Sequence, residues 1–99
     1  ELIGRIAKEP EVRVTPGGMH VAHFRVATNG RETTEFHQVT AFGQTAEFVA
    51  EYLGKGRLVY VEGRLQTRAY DDQDGIRRWV TTIVVSRLQA LDQRRSAEQ

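Results

Sequence analysis

The chain has 99 residues, which suits one domain, because a chain of this length buries roughly 60 to 68% of its unfolded surface and so supports one modest core. It has no cysteine, no apolar run of about 18 residues and no charged-then-apolar leader, so nothing indicates disulfides, membrane insertion or export, and a reducing cytosolic setting fits best. The net charge of +1 does not indicate a polyanionic partner, so any basic surface must come from clustering.

Three strands are predicted in the first half of the chain. Residues 12–15 and 19–28 flank Pro16-Gly17-Gly18, whose backbone preferences are typical of a hairpin turn. In the second of these segments the apolar residues alternate with His23 and Arg25, the pattern of a half-buried strand. Asn29-Gly30 then indicates a reversal into a third strand over residues 33–42.

A helical period replaces the alternation after residue 44. Gly54 supplies a natural end to the helix, and the outward positions Glu47 and Glu51 are acidic, so the apolar stripe is predicted to plug a core rather than to bind a membrane. That stripe holds Thr45, Phe48, Val49, Tyr52 and Leu53.

The two longest predicted strands, residues 58–70 and 76–86, are joined by the turn-forming run Asp72-Gln73-Asp74-Gly75. The order of elements predicts an all-β fold, a five-stranded barrel of the OB type with one short helix between strands 3 and 4. A ferredoxin-like sandwich would need a second helix. The domain is expected to span residues 1–88, and the polar residues 89–99 are expected to form a C-terminal extension that frays.

Two phenylalanines fall on the more polar side of the third strand. Phe36 and Phe42 share their parity with Gln38 and Thr40. The opposite parity holds His37, Val39 and Ala41. The pattern alone leaves two interpretations open, cover by a loop or a neighbouring subunit, and contact with a ligand.

Arginine and tyrosine share one side of the next strand. The outward parity holds Arg64, Gln66, Arg68 and Tyr70, and the inward parity holds the small and apolar set Val61, Gly63, Leu65, Thr67 and Ala69. Because rings stack on bases and guanidinium groups bind phosphates, the outward face is typical of a platform for single-stranded nucleic acid. The alternative is a solvated strand face that discourages edge aggregation.

Further basic and aromatic candidates lie around the second hairpin. Arg77 and Arg78 take opposite faces in succession, so at least one of them projects outward beside Trp79. Trp79 is a secondary candidate, because a lone tryptophan in a strand is more often a core or interface residue. Between residues 55 and 87 the only acid outside the turn is Glu62, against Lys55, Arg57, Arg64, Arg68, Arg77, Arg78 and Arg87.

Catalytic and metal-binding patterns are missing from the sequence. His20 and His23 are three residues apart, which places them on opposite faces of a strand and disfavours a shared metal. The aspartates of residues 71–74 lack the later glutamate of a calcium loop, so a hairpin turn is predicted there. The sequence therefore predicts no enzyme, no metal and no cofactor. A small nuclease that uses the two histidines and a carboxylate is the remote alternative.

With these residues identified, the sequence resembles the bacterial single-stranded-DNA-binding protein family from Leu2 to about Asp92. The resemblance rests on segments that follow the family's order and spacing: LIGRI (2–6), PEVRVTPGG (10–18), TEFHQVTAFG (34–43), AEYLGKGRLVYVEGRLQTR (50–68) and the DDQDG turn before WVTTIVV (79–85). It implies an OB barrel, usually a homotetramer, that wraps single-stranded DNA in replication, recombination and repair in the cytoplasm, associated with the nucleoid.

The resemblance also implies roles for individual residues. It places base stacking on Phe36, Phe42 and Tyr70, and His37 at a subunit interface. It assigns phosphate contacts to Lys55, Arg64 and Arg68. The loop of residues 29–32 is shorter than the family's loop at this point, which often carries another stacking ring. The glycine-, proline- or glutamine-rich linker and acidic tip, with which the family recruits replication and repair proteins, are not among these residues.

Two functional hypotheses follow. The first is sequence-independent binding and protection of single-stranded DNA, by stacking and phosphate contacts without nucleotide hydrolysis. The second is an OB-type protein-interaction scaffold, such as a primosome-like adaptor, whose rings form a protein interface and touch nucleic acid incidentally. Either protein is expected to be a homo-oligomer, because the edge strands of so small a barrel need cover.

Overall fold

The structure, a computed structural model, describes residues 1–92. These residues form six strands and one helix: β1 (Leu2–Ile6), β2 (Glu11–Val14), β3 (His20–Asn29), β4 (Thr34–Phe42), α1 (Gly43–Tyr52), β5 (Leu58–Asp71) and β6 (Arg77–Ala90). Strand β6 continues to Ala90, so residues 89 and 90 of the expected extension belong to the sheet and do not fray. Leu91 and Asp92 follow the strand, and residues 93–99 of the extension lie outside the described residues.

Five strands close a ring, in agreement with the predicted OB-type fold. The order is β1-β5-β6-β4-β3, and β1 pairs back to β3 through Arg5 opposite Ala27 and Ile6 opposite Val26. Among the strand pairs formed by residues 1–92, only β4–β6 is parallel. Both β1 and β2 pair along the edge of β3 that β4 leaves open, so they are two halves of one long first strand, interrupted before β2. The sequence-based prediction began its five strands with residues 12–15 and did not include β1, so its helix follows the third predicted strand but the fourth observed one.

Helix α1 covers one end of the ring with a narrower apolar stripe than predicted. Its buried residues are Ala46 and Val49, and Leu53 follows them in the core just past the helix end. Phe48 and Tyr52, predicted to face the core, are instead exposed and pack against each other, with ring centroids 5.3 Å apart. They lie beside the buried stripe, because the stripe follows an i, i+3, i+7 spacing from Ala46. Ten-residue α1 falls short of the length and apolar character that a membrane-crossing helix needs.

The core lies inside the ring and consists mainly of β-branched residues. The fully buried large side chains are Ile6, Val26, Val39, Val49, Val59 and Val61. On β5 the alternation buries Val61, as predicted, and also Val59.

Beyond the ring, β5 and β6 continue as a long hairpin. A bulge separates the two parts: Glu62 pairs with Arg87 but Gly63 pairs with Val85, so Ser86 is the extra residue. The prediction that Leu65 faces the core is wrong, since its side chain is 73% exposed. Gly63, Thr67 and Ala69 of the same parity are exposed too. The parity itself is correct, but this part of the hairpin extends past the elements that would cover it.

Candidate nucleic-acid interface

The β5–β6 hairpin has two faces of different chemistry, which the cross-strand register defines. The groove face holds Arg64, Gln66, Arg68 and Tyr70 of β5, opposite Val84, Thr82, Val80 and Arg78 of β6. The back face holds Leu65, Thr67 and Ala69, opposite Ile83, Thr81 and Trp79. Arginine, amide and tyrosine side chains thus lie on one side, and mainly apolar ones on the other.

The groove face continues onto β4 and across to β2. Because β4 pairs with β6 through Gln38 opposite Thr82 and Thr40 opposite Val84, these residues lie on the same face. The β5–β6 hairpin and the β2–β3 hairpin rise on either side, and a groove of about 570 Å³ lies between them. Its lining includes Arg13, Thr15, His23, Gln38, Thr40, Phe42, Gln66, Arg68, Val80 and Thr82. We call this cavity the groove.

The three rings proposed to stack on bases are all exposed, but they do not share one cavity. Phe42, which is 42% exposed, lines the groove, and Tyr70, 48% exposed, stands on the groove face near the hairpin tip. Phe36 is 57% exposed and lines a separate cleft with Leu65 and Ile83. The β4–β6 pairing ends at Gln38, so β4 has already left β6 where Phe36 lies. The three rings therefore occupy three separate places on the surface of the molecule.

The basic candidates likewise lie partly in the groove and partly outside it. Arg68 lines the groove, and Arg64 shares its face of the hairpin. Lys55 lies outside the groove lining in the turn after α1, where its backbone N–H donates to a carboxylate oxygen of Glu9 at 3.2 Å. Arg77 is exposed and lies 3.6 Å from Asp71, an ion pair that partly neutralises it. Of the basic candidates, Arg68 is the one that the structure brings together with a stacking ring in the groove.

Trp79 lies on the back face. It pairs with Ala69, whereas the neighbouring pairs Arg68–Val80 and Tyr70–Arg78 lie on the groove face. Its side chain is 66% exposed, so it is not a core residue of this chain. A strand bound in the groove reaches Trp79 only by crossing to the other face of the hairpin.

The hairpin tip is a hydrogen-bonded turn organised by Asp72. Its carboxylate accepts the backbone N–H groups of Asp74 and Ile76 at 2.9 Å and the Arg78 Nε at 2.6 Å. The Arg78 guanidinium, followed by these backbone donors, lowers the pKa of Asp72. Gly75 takes a positive φ of 78°, which glycine adopts without strain. This agrees with the predicted hairpin turn.

A second carboxylate anchors the C-terminal end of β6 to the start of β5. Asp92 accepts a hydrogen bond from Arg57 Nε at 2.8 Å and another from the backbone N–H of Leu58 at 3.2 Å. The Arg57 guanidinium, more than any other neighbour, lowers the pKa of Asp92. This contact holds the end of β6 against the start of β5.

The three histidines have separate environments. His20 Nδ1 lies 3.5 Å from Glu47 on α1, His23 Nδ1 lies 3.1 Å from the Thr40 hydroxyl, and His37 Nε2 lies 2.9 Å from the Thr28 hydroxyl. His37 also lines the cleft of Phe36, a partly open surface. Among residues 1–92, no group of three or more metal-ligating side chains comes together.

Sequence reasoning missed the second wall of the groove. Arg13 of β2 pairs with Val21 of β3, and His23 lies two residues further along β3. The alternation of His23 with buried Phe24 already placed the histidine outside the core. What the pattern could not supply was that the β2–β3 hairpin faces the β5–β6 hairpin, because the two do not pair with each other and are connected through β4 and β1.

Comparison with known proteins gives a consistent result. Residues 1–91 match the sequence profile described as the Single-strand binding protein family. Single-stranded DNA-binding protein 3 of Clostridium acetobutylicum is 44% identical over 98 residues, which cover 92% of this chain and 68% of the relative. Single-stranded DNA-binding protein 2 of Staphylococcus aureus is 41% identical over 105 residues, covering 99% and 76%.

Other matches extend this result. The Single-stranded DNA-binding protein of Neisseria meningitidis serogroup B is 44% identical over 99 residues, but the chain spans only 57% of that relative. Among solved structures, the Plasmodium falciparum SSB complex with ssDNA superimposes with a TM-score of 0.84 at 33% identity. That match covers 92% of this chain and 91% of the Plasmodium chain.

Proposed function

Because the chain belongs to the Single-strand binding protein family, we propose that it binds single-stranded DNA without base-sequence specificity and protects strands exposed in replication, recombination and repair. The observation that carries this proposal is the groove, where the exposed ring of Phe42 and the guanidinium of Arg68 lie on one open sheet surface. Family membership favours this function over the protein-interaction scaffold.

The mechanism combines stacking with charge neutralisation. A base stacked on an aromatic side chain contributes about 1 to 3 kcal/mol and tolerates any base, because every base has a π face. Each phosphate neutralised on a single strand adds about 0.7 to the slope of log affinity against log salt. Phe42 and Tyr70 would supply stacking, and Arg68 and Arg64 phosphate contacts. Phe36, Lys55, Arg77 and Trp79 would contact strand that continues beyond the groove.

Binding by this mechanism needs no covalent step. We expect the protein to have no nucleotide hydrolysis or nuclease activity and to melt DNA hairpins by mass action alone. Labelled single strands incubated with magnesium or manganese should remain intact. Cleavage that requires His20 or His23 would overturn this expectation.

A homo-oligomer, for which a tetramer is the family expectation, would cover the Leu65 end of the back face. Leu65 is exposed and pairs with partly buried Ile83, on a face that residues 1–92 leave open. His37 lines the cleft that Leu65 and Ile83 form with Phe36, and it is the proposed interface histidine. Sedimentation velocity should show an oligomer that Leu65→Asp weakens. A stable monomer at micromolar concentration would contradict the proposal.

Cellular placement follows from the same proposal. A protein that coats exposed DNA strands would act in the cytoplasm, associated with the nucleoid. In the family, replication and repair proteins are recruited by an acidic tip, so we propose that these 99 residues provide strand binding, with partner recruitment residing in a tail of that kind.

Titration with poly-dT at several salt concentrations tests the function directly. The proposal predicts tight binding at low salt that weakens as salt rises, with similar affinity for poly-dA and much weaker affinity for duplex DNA. Micromolar or weaker binding that does not respond to salt would contradict it. Combined Phe36→Ala and Tyr70→Ala replacement separates the scaffold alternative: unchanged DNA affinity with a dissociated oligomer would support the scaffold.

A further inference from the structure

His23 lies in the groove and has a role there that the proposed stacking and arginine contacts leave unassigned. Its half-buried ring lines the groove together with Arg13 and Arg68. Nδ1 lies 3.1 Å from the Thr40 hydroxyl, and Nε2 has no hydrogen-bonding partner among residues 1–92. A threonine hydroxyl both donates and accepts, so Thr40 satisfies Nδ1 whether the imidazole is neutral or charged. Nε2 is therefore the nitrogen left to bind a ligand.

The charges around His23 come from four elements. On β2 its cross-strand partner is Glu11, and Arg13 follows two residues later. Arg25 lies two residues along β3, and Arg68 of β5 faces it across the groove. Lys8 and Glu9, before β2, share a smaller cavity with it. The lining residues of β4 and β6 are uncharged: Gln38, Val39, Thr40, Phe42, Val80, Thr82 and Val84.

On the groove side, the surroundings of His23 carry more positive than negative charge. Arg13 and Arg68 are cations that share the groove with His23, whereas Glu11 and Glu9 are anions beside it. A phosphodiester bound between the two arginines would offset part of their charge. Strand binding and protonation of His23 would then favour each other, which is a linkage between ligand and proton.

We propose that His23 is a phosphate-binding group of the groove, acting with Arg13 from the wall opposite Arg68, and that its protonated form strengthens binding of single-stranded DNA. This inference rests on the proposed function. Protonated Nε2 donates a charge-assisted hydrogen bond to a phosphate oxygen, whereas the neutral imidazole offers at most an uncharged, weaker hydrogen bond there.

The sign of the pH effect follows from the charge. Histidine changes charge between about pH 5 and pH 8, so affinity is highest below that window and falls as pH rises through it. One charge-assisted hydrogen bond corresponds to roughly a tenfold gain in affinity. One additional cation on a single strand steepens the salt slope by about 0.7.

The test compares wild type with His23→Gln, using fluorescence anisotropy of a labelled dT oligonucleotide at pH 5.5 and 8.5 over a range of salt. Thymine does not change charge between these values. Wild type should bind about tenfold more tightly at pH 5.5, with the steeper slope, and His23→Gln should show neither change. His20→Gln is the matched control, because His20 lies on the same strand but pairs with Glu47 outside the groove. It should keep the wild-type pH response.

Failure of this inference differs from failure of the proposed function. If wild type binds dT tightly at pH 8.5 but gains nothing at pH 5.5, or if His23→Gln keeps the gain, the role of His23 is overturned while strand binding stands. If wild type fails to bind at either pH, the proposed function fails and the inference fails with it. Thermal unfolding of His23→Gln at both pH values confirms that the variant is folded.

Discussion

The two parts of the β5–β6 pair, inside and beyond the ring, follow the same alternation and differ in burial. Val59 and Val61 are fully buried in the ring, whereas Leu65, which continues their parity past the bulge, is largely exposed. The hydrophobic pattern therefore identifies which residues share a face. It does not identify what covers that face, because cover depends on how far the other strands reach.

Beyond the ring, the two faces of the hairpin differ in the functions that we propose for them. The groove face carries Arg68, which lines the same groove as Phe42, and Tyr70 near the tip, whereas the back face carries Leu65 and Trp79. We propose DNA for the first face and a second copy of the chain for the Leu65 end of the second, with Trp79 near the tip left to contact strand that continues beyond the groove. The predictions below test the difference between ring and hairpin, and then between the two hairpin faces.

The largest effect on stability is expected from creating a cavity in the core of the ring. Ile6→Ala removes a fully buried side chain from β1 and should lower the free energy of unfolding by about 2 to 5 kcal/mol. The matched change Ile76→Ala, at the exposed hairpin tip, should stay within about 0.5 kcal/mol. Urea unfolding at one fixed protein concentration measures both. Equal losses would mean that the hairpin contributes to the core as the ring does.

The next effect compares aromatic rings on opposite faces of the hairpin. Tyr70→Ala removes a groove-face ring and should weaken dT binding by about 1 to 3 kcal/mol. Trp79→Ala, on the back face, should weaken it less. Anisotropy of labelled dT is the suitable measurement, since the second change removes the tryptophan signal. A larger loss from Trp79→Ala would place the strand on the back face.

A smaller effect distinguishes arginines by their surroundings. Arg68→Gln should reduce the slope of log affinity against log salt by about 0.7, because one phosphate contact is lost from the groove. Arg77→Gln should change the slope less, since Asp71 already neutralises part of that charge. Titrations over a range of salt concentrations give both slopes. The reverse order would show that the strand follows the outer edge of the hairpin.

The smallest expected effect concerns the pH dependence of the Asp92–Arg57 contact, which holds the end of β6 against the start of β5. Folding lowers the pKa of Asp92 below its ordinary value of 3.8, chiefly through Arg57, so the contact stabilises the fold above that pH and is lost as pH falls through the lowered value. Asp92→Asn should therefore be less stable than wild type at pH 7, and the difference should shrink below about pH 4. Urea unfolding at pH 7, 5 and 3 checks this. A constant difference would show that ionisation of Asp92 plays no part.

The same contact has a counterpart at the hairpin tip, where Arg78 lowers the pKa of Asp72. Asp72 organises a turn outside the ring, so Asp72→Asn serves as the control for Asp92→Asn. It should speed amide hydrogen exchange at residues 74–76 and leave exchange in the ring unchanged.

The sequence predicted the fold well where local patterns decide it. Pro16-Gly17-Gly18 lies between β2 and β3, and the Asp72–Gly75 run joins β5 to β6. The parity of Phe36, Phe42 and Tyr70 correctly placed their rings outside the core. The family resemblance, confirmed over residues 1–91, supplied the function that parity had left open.

The remaining features depend on distant contacts that no local pattern contains. Leu65 is exposed because β5 outreaches the ring, and Phe48 is exposed because the buried stripe of α1 begins at Ala46 rather than Thr45. Arg13 and His23 join the groove because the closed ring, in which β4 pairs with both β3 and β6, places the two hairpins on either side of it. Each of these outcomes depends on how the strands and the helix assemble. The spacing of residues along one element does not determine that assembly.

Methyl NMR on the complex with a short dT oligonucleotide tests most directly whether the strand lies in the groove. The ring currents of bound bases should shift the methyl groups of Val80 and Val84 on the groove face and leave those of Thr67 and Ala69 on the back face unchanged. Shifts confined to Thr67 and Ala69 would contradict the account.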